Sequence, residues 1–265
     1  MKYANTIGFV GDLHCGSLWG LHHKPHNTGQ SYLLACWQHL SRSWPALDLL
    51  VLMGDLIDGK QRKADSTGLS TARLGDQVKI AIECLRPLAK RAKKILRVDG
   101  TPYHEDYHGA LDALDLALGV AKTDQVQDID LGGNILNVAH HPAGGPTLYM
   151  GTATDRENLW SMIAAFEGSV PNARWIVRAH KHTYLMQESR MRTIIQTPCW
   201  QLATPHCKKQ NYHRFQPSLG AVLMQTDARH HSGYAVLPTL YDPPKLEVQK
   251  YAEIREAESA RAVSD

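Results

Sequence analysis

Five short segments of this chain carry carboxylates and imidazoles that could share a cation. They are "GDLH" with Asp12 and His14, "GDLID" with Asp55 and Asp58, "GTPYHE" with His104 and Glu105, "AHH" with His140 and His141, and "AHKH" with His180 and His182. Imidazole and carboxylate donors suit manganese, iron, zinc, cobalt or nickel, and the absence of cysteine donors argues against a structural zinc site. Two ions about 3.5–4 Å apart need a shared ligand, which a carboxylate can provide, and such a pair activates water and clamps phosphoryl oxygens during in-line attack. In D-x-H and H-x-H the two side chains are two residues apart, so on an extended segment both point the same way. One D-x-H arises by chance as an aspartate cap beside a surface histidine. Five such segments in succession, each just after an apolar run, are not explained that way.

The apolar runs are the elements that must position these residues. "NTIGFV" (5–10), "LDLLVLM" (47–53), "KKILRV" (93–98), "NILNVA" (134–139) and "ARWIVRA" (173–179) read as strands, and each ends where a candidate segment begins. Loops at the ends of strands in an α/β sheet converge on one face, held by a rigid frame. Helical spacing appears in 31–44, in 77–92, in 109–118 and in 156–168, where Gly168 supplies a stop. Pro87 lies inside the second of these and should kink or divide it. Three β-rich stretches follow at 191–198, 220–227 and 232–241. Strands alternating with helices, then strands in succession, predict an α/β domain on a mixed sheet or a pair of sheets. With no linker or repeat in view, one domain over 1–250 is expected, followed by a charged tail over 251–265.

Composition limits the function classes. The chain has 265 residues, 43% hydrophobic and 21% charged, with a net charge of +3. Those proportions are ordinary for a folded soluble chain, and the small positive excess does not by itself indicate nucleic-acid binding. The start lacks the apolar stretch of a signal peptide and no run reaches the roughly 20 apolar residues of a membrane span, so a cytoplasmic protein without membrane contact is expected. The five cysteines form no CxxC pair and read as reduced thiols.

Taken in order, the five segments resemble the calcineurin-like metallophosphoesterases, whose motifs run D-x-H, G-D-x-x-D-x-G, G-N-H-[DE], a single His, and G-H-x-H. The match spans positions 11 to 182 of this chain. The resemblance implies a four-layer α/β/β/α sandwich of two mixed β-sheets flanked by helices. It also implies two divalent ions, manganese first, and a phosphate-ester substrate attacked by a hydroxide held at the two-metal centre. Asp12, His14 and His182 would hold one ion, Asp55 would bridge, and His140 and His180 would hold the other. His104 would contact the phosphoryl group and protonate the leaving oxygen, and Asp58 would orient ligands or water. His141, next to His140, is a substrate contact, a further donor or a backbone-satisfied histidine, and Glu105 a carboxylate that binds metal or orients the residues that do.

This sequence departs from the family pattern in three places. Gly59 comes one position early, Ala179 replaces a glycine, and Thr101-Pro102-Tyr103 stands where the family has an asparagine that donates an oxygen to the second ion. The Thr101 hydroxyl or a water would take that place, leaving the second ion more weakly bound. A nuclease using the same centre is the alternative activity, and a catalytically silent metal-binding scaffold is the alternative from another class.

Other residues carry smaller expectations. "LHHKPH" (21–26) reads as a solvated loop, with Lys24 as a less favoured phosphate contact. Arg156 and Arg178 are expected to solvate the surface more than to bind phosphate. Trp160 and Phe166 are placed in the core. The stretch 197–209, with Trp200, His206 and two lysines, either lines the cleft or is structural. Cys15 should point away from its neighbour His14.

Overall fold

Short, almost wholly apolar runs make the strands that carry the site. The computed structural model describes residues 4–60, 67–105, 109, 111–142, 151–205, 207 and 216–244. In it, β1 (Thr6–Val10), β2 (Leu47–Leu52), β3 (Ala92–Val98) and β4 (Lys122–Asp124) pair in parallel. Two antiparallel strands, β10 (Leu219–Thr226) and β11 (Tyr234–Tyr241), extend them into a six-stranded sheet ordered β11-β10-β1-β2-β3-β4. A second sheet is ordered β5-β6-β7-β9-β8, from β5 (Val126–Asp130), β6 (Ile135–Ala139), β7 (Ala173–Arg178), β9 (Thr193–Gln196) and β8 (Leu185–Glu188). Its middle strands β6, β7 and β9 are parallel, and its outer ones antiparallel.

The period-two alternation of strand side chains makes two cores. Ile7, Phe9, Leu49 and Val51 of the first sheet face Leu136, Val138, Trp175, Val177 and Ile195 of the second. The residues between them in sequence, Leu50 and Leu52, turn outward onto α1 (Thr28–Ser43) and α2 (Leu74–Ala89), against Leu33, Trp37, Leu40, Val78 and Leu85. On the far side, α5 (Thr152–Phe166) lies over the second sheet. The shorter α3 (Pro102–Glu105) and α4 (Asp112–Leu118) follow β3. This is the two-sheet sandwich flanked by helices that the resemblance implies. Each fully buried Val, Leu, Ile or Phe contributes roughly 1.5–3 kcal/mol. The sheets, and not the site, therefore fix where the strand ends stand. No helix among the described residues is long and apolar enough to cross a membrane.

Several expectations are corrected. α2 ends at Ala89, only two residues past Pro87, so the proline falls in the last turn and does not divide the helix. Its missing N–H costs one bond, to the carbonyl of Glu83, an exposed residue that water can reach. Trp160 and Phe166 are 60% and 94% exposed. Six residues apart on a helix is about 240° of rotation, so the two never shared a face. The buried side of α5 is instead Ala153, Thr154 and Glu157. Glu157 pairs with Arg178, which is buried and so neither solvates the surface nor waits for phosphate. Trp200 is wholly buried, edge-on to Trp37 at 4.8 Å, so it is a core residue and does not line a cleft. His206 and Lys208–Lys209 lie outside the described residues, as does the tail over 251–265. In the loop at 21–26, Lys24 and His26 are exposed, but Leu21 and His22 are buried. The Leu21 amide donates to the Leu13 carbonyl at 2.9 Å, which draws that end of the loop inward.

Candidate metal centre

Asp12 and His14 follow β1, Asp55 and Asp58 follow β2, and Thr101, His104 and Glu105 follow β3. His140 and His141 follow β6, and His180 and His182 follow β7. Because these strands run parallel within each sheet, all five loops open on the same edge of the sandwich. There the donor atoms interlock in overlapping sets: Asp12, His14 and His182; His14, Asp55 and His104; Asp12, Asp55 and His140; and His140, His141 and His180. Within each set the donors lie within 4.8 Å of one another.

The backbone is unusual at the same residues. Among the described residues, those other than glycine with positive φ are Asp12 (49°), His14 (48°), Asp55 (50°), His180 (70°) and His182 (55°). Left-handed backbone costs an L-residue roughly 1–2 kcal/mol, and such strain concentrates where the surrounding structure holds a functional geometry. The reasoning from extended backbone in D-x-H and H-x-H is corrected here. The side chains converge because their backbones turn, not because they alternate along a strand. Gly100 serves the same close approach, since a Cβ there would stand 2.3 Å from the Asp55 amide nitrogen.

Hydrogen bonds fix which atom of each ring faces inward. His140 donates from Nδ1 to the Met53 carbonyl at 2.7 Å, and His14 Nδ1 meets Asp58 Oδ1 at 2.8 Å. Each therefore presents Nε2 to the centre, the arrangement in which an outer partner sets the tautomer of a ligating histidine. His140 Nε2 lies 3.2 Å from Asp55 Oδ2, and His182 Nε2 lies 3.3 Å from Asp12 Oδ1. The Nε2 atoms of His14 and His182 are 3.1 Å apart. Asp12 Oδ1 and His140 Nε2 are both buried, 4.0 Å apart, with no hydrogen bond of good geometry. A divalent ion between these donors would satisfy both, in place of the proton that His140 shares with the carboxylates. The donor set therefore fits the divalent ions that the resemblance implies.

The charges are strongly coupled. Burial alone would raise Asp12 and Asp55, but the imidazoles outweigh it: His182 and His140 hold Asp12 below its usual value, and chiefly His140 does so for Asp55. In return His140 is raised to about 9, its burial overcome by Asp55 and Asp12. His182 is raised well above 6.5, burial being outweighed by Cys199 and Asp12. His180 falls to about 4 through burial and the charge of His140, and His104 and His141 are lowered through burial and their histidine neighbours.

Two residues act as supports. The Glu105 carboxylate accepts from the Leu56 and Gly100 amides, each at 2.6 Å, and sits 3.7 Å from Arg97. It ties the β2 and β3 loops together and belongs to none of the donor sets. Burial and the charge of Asp55 raise it to about 7. Gln77 carried no signal in the sequence. It is buried in α2 and accepts from the Asp58 and Gly59 amides, at 3.2 and 2.9 Å, while donating to the Gly59 and Thr71 carbonyls. Cys15 lies in the core beneath α1 and α2, away from the centre, as expected.

No protein-family model matches the chain, and no curated protein does. Among solved structures, the chain is similar to a novel archaeal phosphodiesterase, at 9% identity over 88% of this chain and 99% of that one, with a TM-score of 0.47. It is also similar to wild-type Vps29 complexed with zinc from Entamoeba histolytica, at 13% identity over 89% and 99%, TM-score 0.45. A third is Yfce, a phosphoesterase from E. coli, at 16% identity over 88% and 98%, TM-score 0.43.

Proposed function

We propose that this chain is a metal-dependent phosphoesterase with a two-ion centre. The observation that carries the reading is the meeting of Asp12, His14, Asp55, His140, His180 and His182 at one edge, with buried Asp12 Oδ1 and His140 Nε2 facing each other at 4.0 Å. Asp12, His14 and His182 would hold the first ion, Asp55 would be shared between the two, and His140 and His180 would hold the second. When bound, the ions supply the Lewis acidity that activates water and neutralises charge at phosphorus.

The chain's own residues do the rest. His104 donates from Nδ1 to the Asp58 carbonyl at 2.9 Å, which leaves Nε2 directed away from that bond. Its depressed pKa keeps it neutral in the free protein at neutral pH. A bound phosphate group brings negative charge beside the ring and reverses that balance. Protonated on binding, His104 gives its Nε2 proton to the leaving oxygen. Asp58 holds His14, and Glu105 holds the two loops that frame Asp55.

The place of the absent asparagine is taken by His141. Thr101 is committed elsewhere: its amide donates to Asp55 Oδ1 at 2.6 Å and its hydroxyl to the same oxygen at 2.9 Å, steadying the bridging carboxylate. His141 instead stands with His140 and His180, its ring 4.8 Å from that of His180. The second position is thereby rich in nitrogen donors, which favours zinc over manganese. Manganese titration should show one tight and one weaker ion per chain, with the gap narrowing for zinc. His141→Ala should weaken the second ion roughly 10–100-fold, a range borrowed from the loss of outer-shell partners, and leave the first unchanged. Equal retention of both ions by the variant would remove His141 from the centre.

The activity is tested with manganese- and zinc-loaded protein on p-nitrophenyl phosphate, its bis ester and single-stranded DNA. Hydrolysis of either ester supports the reading. Cleavage of DNA alone would favour a nuclease, and two bound ions with no turnover of any substrate would favour a silent scaffold.

A further inference from the structure

A second group of metal-binding side chains lies at the opposite pole of the sandwich. The turn between β10 and β11 stands beside the start of β1, since Gln225 pairs with Thr6. The turn between β8 and β9 stands beside the start of β7, since Thr193 pairs with Trp175. The candidate metal centre is at the other ends of β1 and β7. At this far pole Glu188, the last residue of β8, meets His230 and His231 of the β10–β11 turn. His230 Nε2 lies 3.5 Å and His231 Nε2 3.7 Å from Glu188 Oε1. One donor atom from each of the three falls within 4.8 Å of the others.

The hydrogen bonds around His230 fix which of its nitrogens faces Glu188. The Ser232 hydroxyl donates its one proton to the Tyr234 carbonyl at 3.0 Å, because a carbonyl can only accept. The same oxygen lies 2.8 Å from His230 Nδ1. The Ser232 amide donates to that nitrogen at 3.3 Å. With Nδ1 held by Ser232, His230 turns Nε2 toward the Glu188 carboxylate. An ion entering between the two takes the place of a proton there. The one nearby guanidinium of the turn, Arg229, is engaged by Asp227 at 3.2 Å. Glu188 Oε1 receives the Thr193 hydroxyl at 3.1 Å, which orients it without neutralising it.

We propose that Glu188, His230 and His231 form a separate site for a divalent ion of the zinc, nickel or cobalt class. Two imidazoles and one carboxylate are a three-ligand set that zinc accepts, leaving further positions to water. His231 exchanges its 3.3 Å contact with the Ser189 carbonyl for the ion. Glu188 belongs to the outer strand of one sheet and the histidines to a turn of the other, so the bound ion clips the two sheets together. Its action is structural, and it does not depend on the activity proposed for the other pole.

The test compares the wild-type protein with the double variant His230→Ala/His231→Ala and with Glu188→Gln. All three side chains are partly or well exposed, so the variants should fold as the parent does. Zinc is counted by mass spectrometry after loading and desalting, and the zinc-induced rise in Tm is recorded. The double variant should carry one zinc fewer per chain than the wild type and lose part of the rise in Tm, and Glu188→Gln should follow it. A variant that holds as much zinc as the parent, with the same rise in Tm, overturns the proposal whatever the total count.

Discussion

Asp55→Asn is expected to lower phosphoester hydrolysis by on the order of 10³-fold, the upper range for removing one preorganised charge-stabilising group, while leaving the fold in place. Asn and Asp have the same shape. The retained carbonyl oxygen can still accept from the Thr101 amide, now 2.6 Å from Oδ1. What is lost is the charge on the oxygen that faces His140 at 3.2 Å, and with it the atom that two ions would share. The variant should therefore bind fewer than two ions, and the deficit should survive excess metal. Far-UV circular dichroism and Tm check that the fold persists, and metal counting checks the cause. Retained activity within about tenfold of wild type would end the two-ion account, since a bridging ligand cannot be spared at that cost.

The frame and the chemistry of the centre were legible for one physical reason. Strands buried on both faces read as unbroken apolar runs. "LDLLVLM" and "ARWIVRA" therefore declare themselves, and the polar residues that follow them must stand at sheet ends. The polar edge strands did not declare themselves. β5, with Asp128 and Asp130, and β8, with Gln187 and Glu188, alternate exposed and less exposed residues over only five and four positions, too short a span for a period to emerge. α5 misled for the opposite reason. Its apolar residues Leu159, Trp160, Met162 and Phe166 face outward, so hydrophobicity there does not report burial. Within the centre, residue types could be read, but not the turned backbone that aims them or the support from Gln77. Those depend on contacts between segments distant in the chain, such as Gln77 with Gly59. The role given to Thr101 shows the same limit. From the sequence its hydroxyl is a stand-in for an absent amide. In three dimensions it lies against Asp55, and the side chain that stands with His140 and His180 is His141, forty positions away.

The metal-loaded and ion-free proteins should respond to pH in opposite directions. In the ion-free protein His140 titrates near 9, against 6.5 for an ordinary histidine, because Asp55 and Asp12 face it. A histidine raised in this way adds stability that is fully present below about pH 6.5 and is lost as pH climbs to about 9. The shift corresponds to about 3 kcal/mol, or a fall in Tm of roughly 5–10 °C for a chain of this size. Metal binding needs the same nitrogen without its proton. Loading at neutral pH must therefore expel the protons of His140 and His182, while His180, at about 4, has none to give. Affinity for the ions should rise with pH over the window in which ion-free stability falls. Titration calorimetry in buffers of different ionisation enthalpy at pH 7 should report about two protons released per chain on loading. In Asp55→Asn the strongest partner of the His140 proton is gone, so proton release should drop and the decline of ion-free Tm above pH 6.5 should flatten. An ion-free Tm that is level from pH 6.5 to 9 in the wild type would mean that His140 carries no proton between those carboxylates, and the electrostatic account of the centre would fail with it.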